Sequence, residues 1–235
     1  MQKLNNIEIK KFYEEVDTVW PSGDKWHTFN QQEIQKFIHK ISFENCKILN
    51  AGSGGSDYDL PNDMYHIDIA ENKIKSKKNY FVGSIEKMPY EDSMFDVVIC
   101  VGSVINYCDV SKALSEMTRV LKRQGLLILE FENSYSFEFK HTSAYKANSS
   151  IITTQYFNRP HKMWVYSLKY IAKIMRQNGL HIQKIYPFHI MSSLVYYYNK
   201  DENKAAQYTI LDKIFRYIPL IRTHSGNIIL LGNKK

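Results

Sequence analysis

Cysteine is scarce in this chain of 235 residues. There are three, Cys46, Cys100 and Cys108, an odd number with no paired spacing. That argues against a disulfide framework and leaves no zinc-ligand pattern, so no metal site is expected. The three fall on or near predicted core strands, which points to reduced thiols and a cytoplasmic location; Cys108 reads as a packed thiol before a reactive one. Long apolar runs are missing too. None reaches the ~18 residues of a membrane-spanning helix, and the polar stretch from Met1 to Lys11 has no signal-peptide core. Internal repeats, low-complexity tracts and nucleic-acid-binding modules are absent. What is there is 44% hydrophobic residues, enough for a full core, at a length that suits one domain spanning residues 1–235.

The formal net charge of +7 is unevenly spread. Residues 151–235 hold 13 Lys/Arg against 3 Asp/Glu, whereas residues 1–150 hold 18 against 21. A basic C-terminal third is compatible with a solvated surface, with RNA, with an anionic membrane, or with an acidic substrate such as a nucleotide sugar. The lysines Lys73, Lys75, Lys77 and Lys78 read as a solvated connector, because no aromatic residues interleave with them.

The densest information lies in Ile48-Leu49-Asn50-Ala51-Gly52-Ser53-Gly54-Gly55-Ser56, followed by Tyr65-His66-Ile67-Asp68-Ile69. A short apolar strand enters a glycine-rich turn, and a second strand ends on an acid. An α/β sheet builds a nucleoside pocket this way, at the carboxyl ends of its strands. Glycine lets the backbone approach where a Cβ would collide, and Asp68 can accept hydrogen bonds from two ribose hydroxyls. A dinucleotide is disfavoured. The third glycine of Gly-x-Gly-x-x-Gly is replaced by Asp57, which would repel a pyrophosphate. The stretch between the two strands is also too short for a crossover helix. A nucleoside ligand without phosphates, such as S-adenosylmethionine, fits better.

The rest of the pattern is α/β. Tyr80–Ser84 reads as a third strand and Phe95–Val101, apolar throughout except Asp96, as a central strand buried on both faces. Ser111–Lys122 has helical spacing with Gly125 as its C-cap, and Leu126–Phe131 is the next strand. At the N-terminus, Ile7–Val19 reads as an amphipathic helix and a second helix, capped by Thr28 or Asn30, runs to about Lys40. Lys162–Gly179 reads as a helix and Leu180–Tyr186 as a strand. An amphipathic helix over Ala205–Arg222 follows, then the last strand, Ile228–Gly232. The apolar face of that late helix suggests core packing or a homodimer seam, with attachment to a membrane surface as the sharper alternative.

With these pieces in order, the chain resembles the class I S-adenosylmethionine-dependent methyltransferases, in particular those with a Methyltransferase-11-like domain. Asn50–Gly54 resembles their first motif, Asp68 their ribose-binding acid, Ser84–Tyr90 their adenine-side loop. Phe95–Val98 and Arg119–Gly125 resemble the fourth strand and the turn before the fifth. The likeness covers residues 46–132. It implies a Rossmann-like sheet, mostly parallel with an antiparallel last strand, with an N-terminal helical cap (1–45) and a helical insertion before the last strand. Residues 133–235 would supply a substrate lid and the C-terminal half of the sheet. S-adenosylmethionine is the implied cofactor. Its implied contacts are Asn50, Ala51, Gly52, Ser53, Gly54, Asp68, Ile69, Ser84, Ile85, Glu86, Val101, Gly102 and Ser103. Two departures stand out. Asn50 and Ser84 occupy positions where the family usually carries acids.

Methyl transfer from a sulfonium needs chiefly positioning and exclusion of water, so the acceptor is less legible than the cofactor. Trp26, His27, Asn106 and Tyr135 are candidates for substrate contact. Tyr107, Glu132 and His161 are candidates for catalysis, Glu132 as a general base or as the group that orients an amine. Packing roles are the alternative at each of these positions. The expected activity is methyl transfer to oxygen or nitrogen of a small polar metabolite, sugar-linked or from a natural-product route. RNA methyl transfer and a catalytically silent binding protein are the competing readings.

Overall fold

The computed structural model describes residues 4, 6–21, 23–60, 63–157 and 159–235. Seven strands form its main sheet: β1 (Ile48–Ala51), β2 (Tyr65–Asp68), β3 (Asn79–Val82), β4 (Phe95–Cys100), β5 (Leu121–Glu132), β8 (Leu180–Phe188) and β9 (Asn227–Lys234). Two more, β6 (Ser149–Tyr156) and β7 (Arg159–Tyr166), pair as a separate antiparallel ribbon. The order across the main sheet is β3-β2-β1-β4-β5-β9-β8. The pairs from β3 to β5 are parallel, and β9 runs antiparallel to both β5 and β8. This is the expected Rossmann-like arrangement with its reversed last strand. β1 and β4 read as continuous apolar runs because helices cover both faces of the sheet.

Two helices precede β1: α1 (Asn6–Glu15) and α2 (Lys25–Ile38). The cap of α2 is Asp24, one turn earlier than Thr28 or Asn30. Its Oδ1 accepts from the backbone N–H groups of Trp26 and His27 at 2.9 and 3.1 Å. Asn30 is instead buried within the helix. Between β1 and β2 no helix forms, as the short spacing requires. α3 (Glu71–Ile74) is a single turn.

The chain then runs through α4 (Val110–Val120) straight into β5, and Gly125 is not a helix cap. The left-handed residue of that turn is Gln124, at φ +65°. Glycine at 125 is required by crowding. A Cβ there would lie 3.0 Å from the Asp96 carbonyl and 2.8 Å from that of Lys122.

A second correction concerns residues 159–166. They form β7, so Trp164 belongs to a strand and α5 spans only Leu168–Gln177. The run Met163-Trp164-Val165-Tyr166 is wholly buried, and a continuous apolar run fits helix and strand equally. Ser167 caps α5 by accepting from the Tyr170 N–H at 3.2 Å, and Gly179 at φ +77° ends it as expected.

A third correction concerns the insertion before β9. After α6 (Met191–Asn199) the chain makes short turns at Glu202–Ala206, Gln207–Leu211, Asp212–Phe215 and Pro219–Arg222 in place of one helix. The Asp212 carboxylate is buried and accepts from the N–H groups of Ile190 and Met191 at 3.0–3.1 Å, which anchors the segment at its middle. Several of its apolar residues face outward: Ile210, Ile214 and Leu220 are 66%, 64% and 83% exposed, whereas Ala205 and Ala206 are buried against Trp26. Packing into the core is therefore not the role of those three exposed residues. No helix among the described residues is long and apolar enough to cross a membrane.

Candidate active site

A cleft opens at the carboxyl ends of β1, β2, β3, β4 and β5, where each strand delivers a functional turn. After β1 come Gly52, Ser53 and Gly54, with φ of +73° and +51° at the two glycines. At the tip of β2, Asp68 accepts from the Gly54 N–H on one oxygen and the Ala70 N–H on the other, both at 2.9 Å. The acid and the glycine turn are thus locked together. After β3, the Ser84 hydroxyl accepts from the Glu86 N–H at 3.1 Å, and Glu86 accepts from the Asp109 N–H at 2.8 Å. After β4, Gly102 and Ser103 both take positive φ, +79° and +59°.

The glycines serve the walls of the cleft. A Cβ on Gly52 would overlap Val104 at 2.2 Å, and one on Gly54 would press on Val19 at 3.0 Å. Val104 and Val19 both line the cleft, one below and one from the N-terminal cap. The cap is held down across it. The Tyr156 hydroxyl of the β6–β7 ribbon donates to the Val19 carbonyl, and Arg159 pairs with Glu15 at 2.6 Å. Trp20, Trp26, Tyr13 and Tyr156 form an aromatic roof. The empty space beneath, counted to its open mouth, is about 1540 Å³.

The cleft is rich in acids. Glu130 is held by the Ser103 N–H at 2.6 Å and the Asn227 amide at 2.7 Å, while Glu132 receives the Ser103 hydroxyl at 3.3 Å. Burial raises the Glu132 carboxyl well above the usual range, with repulsion from Glu138 and Glu130 adding to it. Burial and the Glu202 charge likewise push Glu138 up to about 7. Asp68, Glu130 and Glu202 are also raised, burial being the largest cause. Burial raises the phenols of Tyr13 and Tyr107, so both stay protonated at neutral pH.

Residues 50–129 match the family described as Methyltransferase domain, Methyltransf_11. Over these residues the chain is similar to the class I methyltransferases. The chain spans about half the length of the curated relatives it matches. One is the ubiquinone/menaquinone biosynthesis C-methyltransferase UbiE of Rickettsia akari, 33% identical over 45% of this chain and 52% of the relative. Among solved structures, the [4+2]-cyclase SpnF superposes with a TM-score of 0.63 at 13% identity, covering 100% of this chain and 97% of the other. The 1,6-didemethyltoxoflavin-N1-methyltransferase of Burkholderia thailandensis gives 0.56 at 8% identity, covering 97% and 86%; that structure holds 1,6-didemethyltoxoflavin and S-adenosylhomocysteine.

Within the methyltransferase domain and its cap, most of the residues singled out from the sequence line the cleft. These are Gly52, Ser53, Gly54, Asp68, Ile69, Ser84, Ile85, Glu86, Val101, Gly102, Ser103, Tyr107, Glu132, Trp26 and His27. Five do not. Asn50 and Ala51 are fully buried behind the turn, where the Asn50 amide donates to the Ser56 carbonyl at 2.7 Å. Asn106 is a buried brace, donating to the Trp164 carbonyl at 2.6 Å and accepting from the Glu132 N–H at 3.2 Å. His161 packs behind the roof against Phe12 and Tyr107, ring centroids 4.5 and 5.0 Å away, and burial lowers its pKa. Tyr135 lies beside His224, outside the lining. Cys108 does reach the lining, but burial holds its thiol well above the usual value, so it remains a thiol.

Sequence reasoning missed Tyr13, Asn30, Tyr156, Glu138 and Glu202 as lining residues. Tyr13 sat on the apolar stripe of α1, where an aromatic residue reads as packing. Glu138 and Glu202 lie in segments without periodicity, and no spacing links either to the glycine turn. Asp24, His27 and Glu202 bring ligand atoms within 4.8 Å of one another. The first two already satisfy each other through a 2.7 Å contact between His27 Nδ1 and Asp24 Oδ2.

Proposed function

We propose that this protein transfers the methyl group of S-adenosylmethionine to an oxygen or nitrogen of a small polar metabolite. The reading rests above all on the coupling of Asp68 to the Gly54 N–H at the floor of a capped cleft in a methyltransferase domain. The donor set suits this cofactor. A carboxylate has about four lone-pair sites, so Asp68 keeps acceptors for ribose hydroxyls beyond the two used by backbone N–H groups. Ile69 and Ile85 offer apolar surface for a purine. The acid-rich, aromatic walls favour a sulfonium over a phosphate. When bound, the cofactor supplies an electrophilic methyl carbon on a good leaving group.

The chain's own residues then orient, exclude water and move a proton. The aromatic side chains of Trp20, Trp26 and Tyr156 line the cleft and limit the access of water to it. Ser103 fixes Glu130 and Glu132 side by side at the end of β5. With a weak hydrogen bond and a raised pKa, Glu132 is the group placed to take a proton from an acceptor as it becomes a nucleophile. Tyr107, a neutral phenol beside Tyr13, is placed to hydrogen-bond the same acceptor.

RNA as acceptor finds little support. None of the 13 Lys/Arg of residues 151–235 lines the cleft, and the acid lining would repel phosphates. The silent-protein reading loses one of its two motives, because Asn50 stitches the strand end to Ser56 instead of facing the cleft; Ser84, the other, does line it. A carbon acceptor is the second reading, favoured by the 33% identity to UbiE. Calorimetry with S-adenosylmethionine and S-adenosylhomocysteine tests the cofactor, and a methyl-transfer screen over hydroxyl, amine and enol-bearing metabolites tests the acceptor. Micromolar cofactor binding with turnover on oxygen or nitrogen is expected. No binding of either compound to folded protein overturns the proposal, and turnover on carbon alone replaces it with the second reading.

A further inference from the structure

Part of the cleft's lining comes from segments that the family match does not cover. Glu132 comes from the end of β5, Glu138 from the turn after it, Glu202 from the insertion before β9, and Asn30 from α2. Burial is the largest cause of a raised carboxyl at each of the three; the charges of Glu138 and Glu202 add to it at Glu132, that of Glu202 adds to it at Glu138, and at Glu202 the added repulsion comes from Asp24 and Asp201 against the opposing His27. Among the described residues no arginine lines the cleft; Lys73 and the His27 imidazole do, and ligand atoms of His27, Asp24 and Glu202 lie within 4.8 Å of one another. His27 is paired with Asp24, and Lys73 donates to the Val16 carbonyl.

A second observation is independent of the acids. Asn30 is 8% exposed and lines the same cleft, yet its Oδ1 is buried without a hydrogen-bond partner. A buried acceptor left unpaired is destabilising unless something else satisfies it. Three carboxylates and an orphaned amide oxygen are all acceptors. They call for a ligand that brings N–H donors and positive charge.

We propose that the acceptor is a small amine with an apolar body, bound as its ammonium by Glu132, Glu138 and Glu202, with the Asn30 Oδ1 accepting a further N–H. This deepens the methyl-transfer reading and rests on it for the chemical step. The step balances. The ammonium gives one proton to the Glu132 carboxylate, which the arriving positive charge returns to its ionised form. The freed nitrogen lone pair forms the new N–C bond with the methyl carbon. The S–C bond breaks with its electron pair staying on sulfur, leaving a neutral thioether and an N-methylammonium.

Three probes of one skeleton test the charge preference: 2-phenylethylamine, 2-phenylethanol and phenylacetate. Each is titrated calorimetrically into protein saturated with S-adenosylhomocysteine, in buffer containing EDTA. The amine is expected to bind about tenfold or more tighter than the alcohol, as a charged hydrogen bond implies, with phenylacetate weakest. Glu138→Gln, Glu202→Gln and Asn30→Ala should each weaken the amine severalfold and leave S-adenosylhomocysteine affinity unchanged, which also certifies their folding. Phenylacetate binding as well as the amine, or amine affinity equal to that of the alcohol, overturns the proposal. So does amine affinity unmoved by all three substitutions, or no amine binding at millimolar concentration. Amine binding that appears only when a divalent cation replaces EDTA also overturns it and assigns the carboxylates to a metal. If S-adenosylhomocysteine itself does not bind, the methyl-transfer reading fails on its own, and the same three probes on the free protein still decide the amine site.

Discussion

At the scale of single residues, two positions carry the cofactor end of the cleft for different reasons. Asp68 is a ligand. Asp68→Ala removes one or two charge-assisted hydrogen bonds to ribose, each worth about 1.5–3 kcal/mol, so S-adenosylhomocysteine affinity should fall at least about tenfold by calorimetry; unchanged affinity would place the nucleoside elsewhere. Gly52 is a packing residue. Gly52→Ala meets both a φ of +73° and the Val104 side chain, and should lower stability by more than ~1 kcal/mol. A thermal melt reads this, and Val104→Ala in the same chain should recover part of the loss. Both positions were legible in the sequence, because a glycine turn and a strand-tip acid are local features. The reason for Gly52 was not. The approach it permits is by a valine fifty-two residues on, and chain pattern carries no record of that contact.

At the scale of elements, the cap is the part that sequence described least well and that the site needs most. α2 starts at Asp24, whose carboxylate holds two helix N–H groups and His27. Burial would raise this carboxyl, but the hydrogen bonds from His27 and from the backbone outweigh it and the pKa is lowered. A depressed folded-state pKa means stability that is present above the ordinary carboxylate value and lost as pH falls through the lower folded one. Asp24→Ala should therefore cost about 0.5–2 kcal/mol at neutral pH, as a lost N-cap does. The gap between variant and parent melts should close in acid. A gap that widens in acid would contradict the assignment. The β6–β7 ribbon was read as lid and helix. Its four contiguous buried residues gave no period, and only its pairing with itself and its bonds to the cap fixed it as a ribbon.

At the scale of the whole molecule, charge is divided between inside and outside. Basic side chains of the C-terminal third stay out of the cleft, while acids from four separate segments converge within it. An acid whose folded-state pKa is raised is a liability once the unfolded chain can ionise. The penalty begins above the ordinary glutamate value of about 4.3 and is complete once pH passes the folded value, about 7 for Glu138. Between these limits the unfolded chain binds fewer protons than the native one, so stability falls with rising pH. Glu138→Gln should then gain melting temperature relative to the parent at pH 8 and little at pH 5. An equal gain at both would mean that Glu138 is not buried as described. The ordering of these charges also bears on the apolar turns around Ile214 and Leu220, which lie on the opposite side of the balance: exposed, and beside Lys213 and Arg222.

The sequence by itself determined the sheet, the glycine turn, Asp68 and the order of the central strands. These depend on alternation, apolar runs and turn residues within some ten positions of each other, the range over which chain geometry constrains neighbours. It also excluded a disulfide framework and a spanning helix from composition alone. Tertiary structure decided which surfaces face the cleft. It buried Asn50 and Asn106 as braces, put His161 behind the roof, and drew Asn30, Glu138 and Glu202 to one place. Those residues are separated by more than a hundred positions in the chain from α2 to the last insertion. Nothing local fixes their meeting; the packing of the cap and the insertion against a finished sheet does.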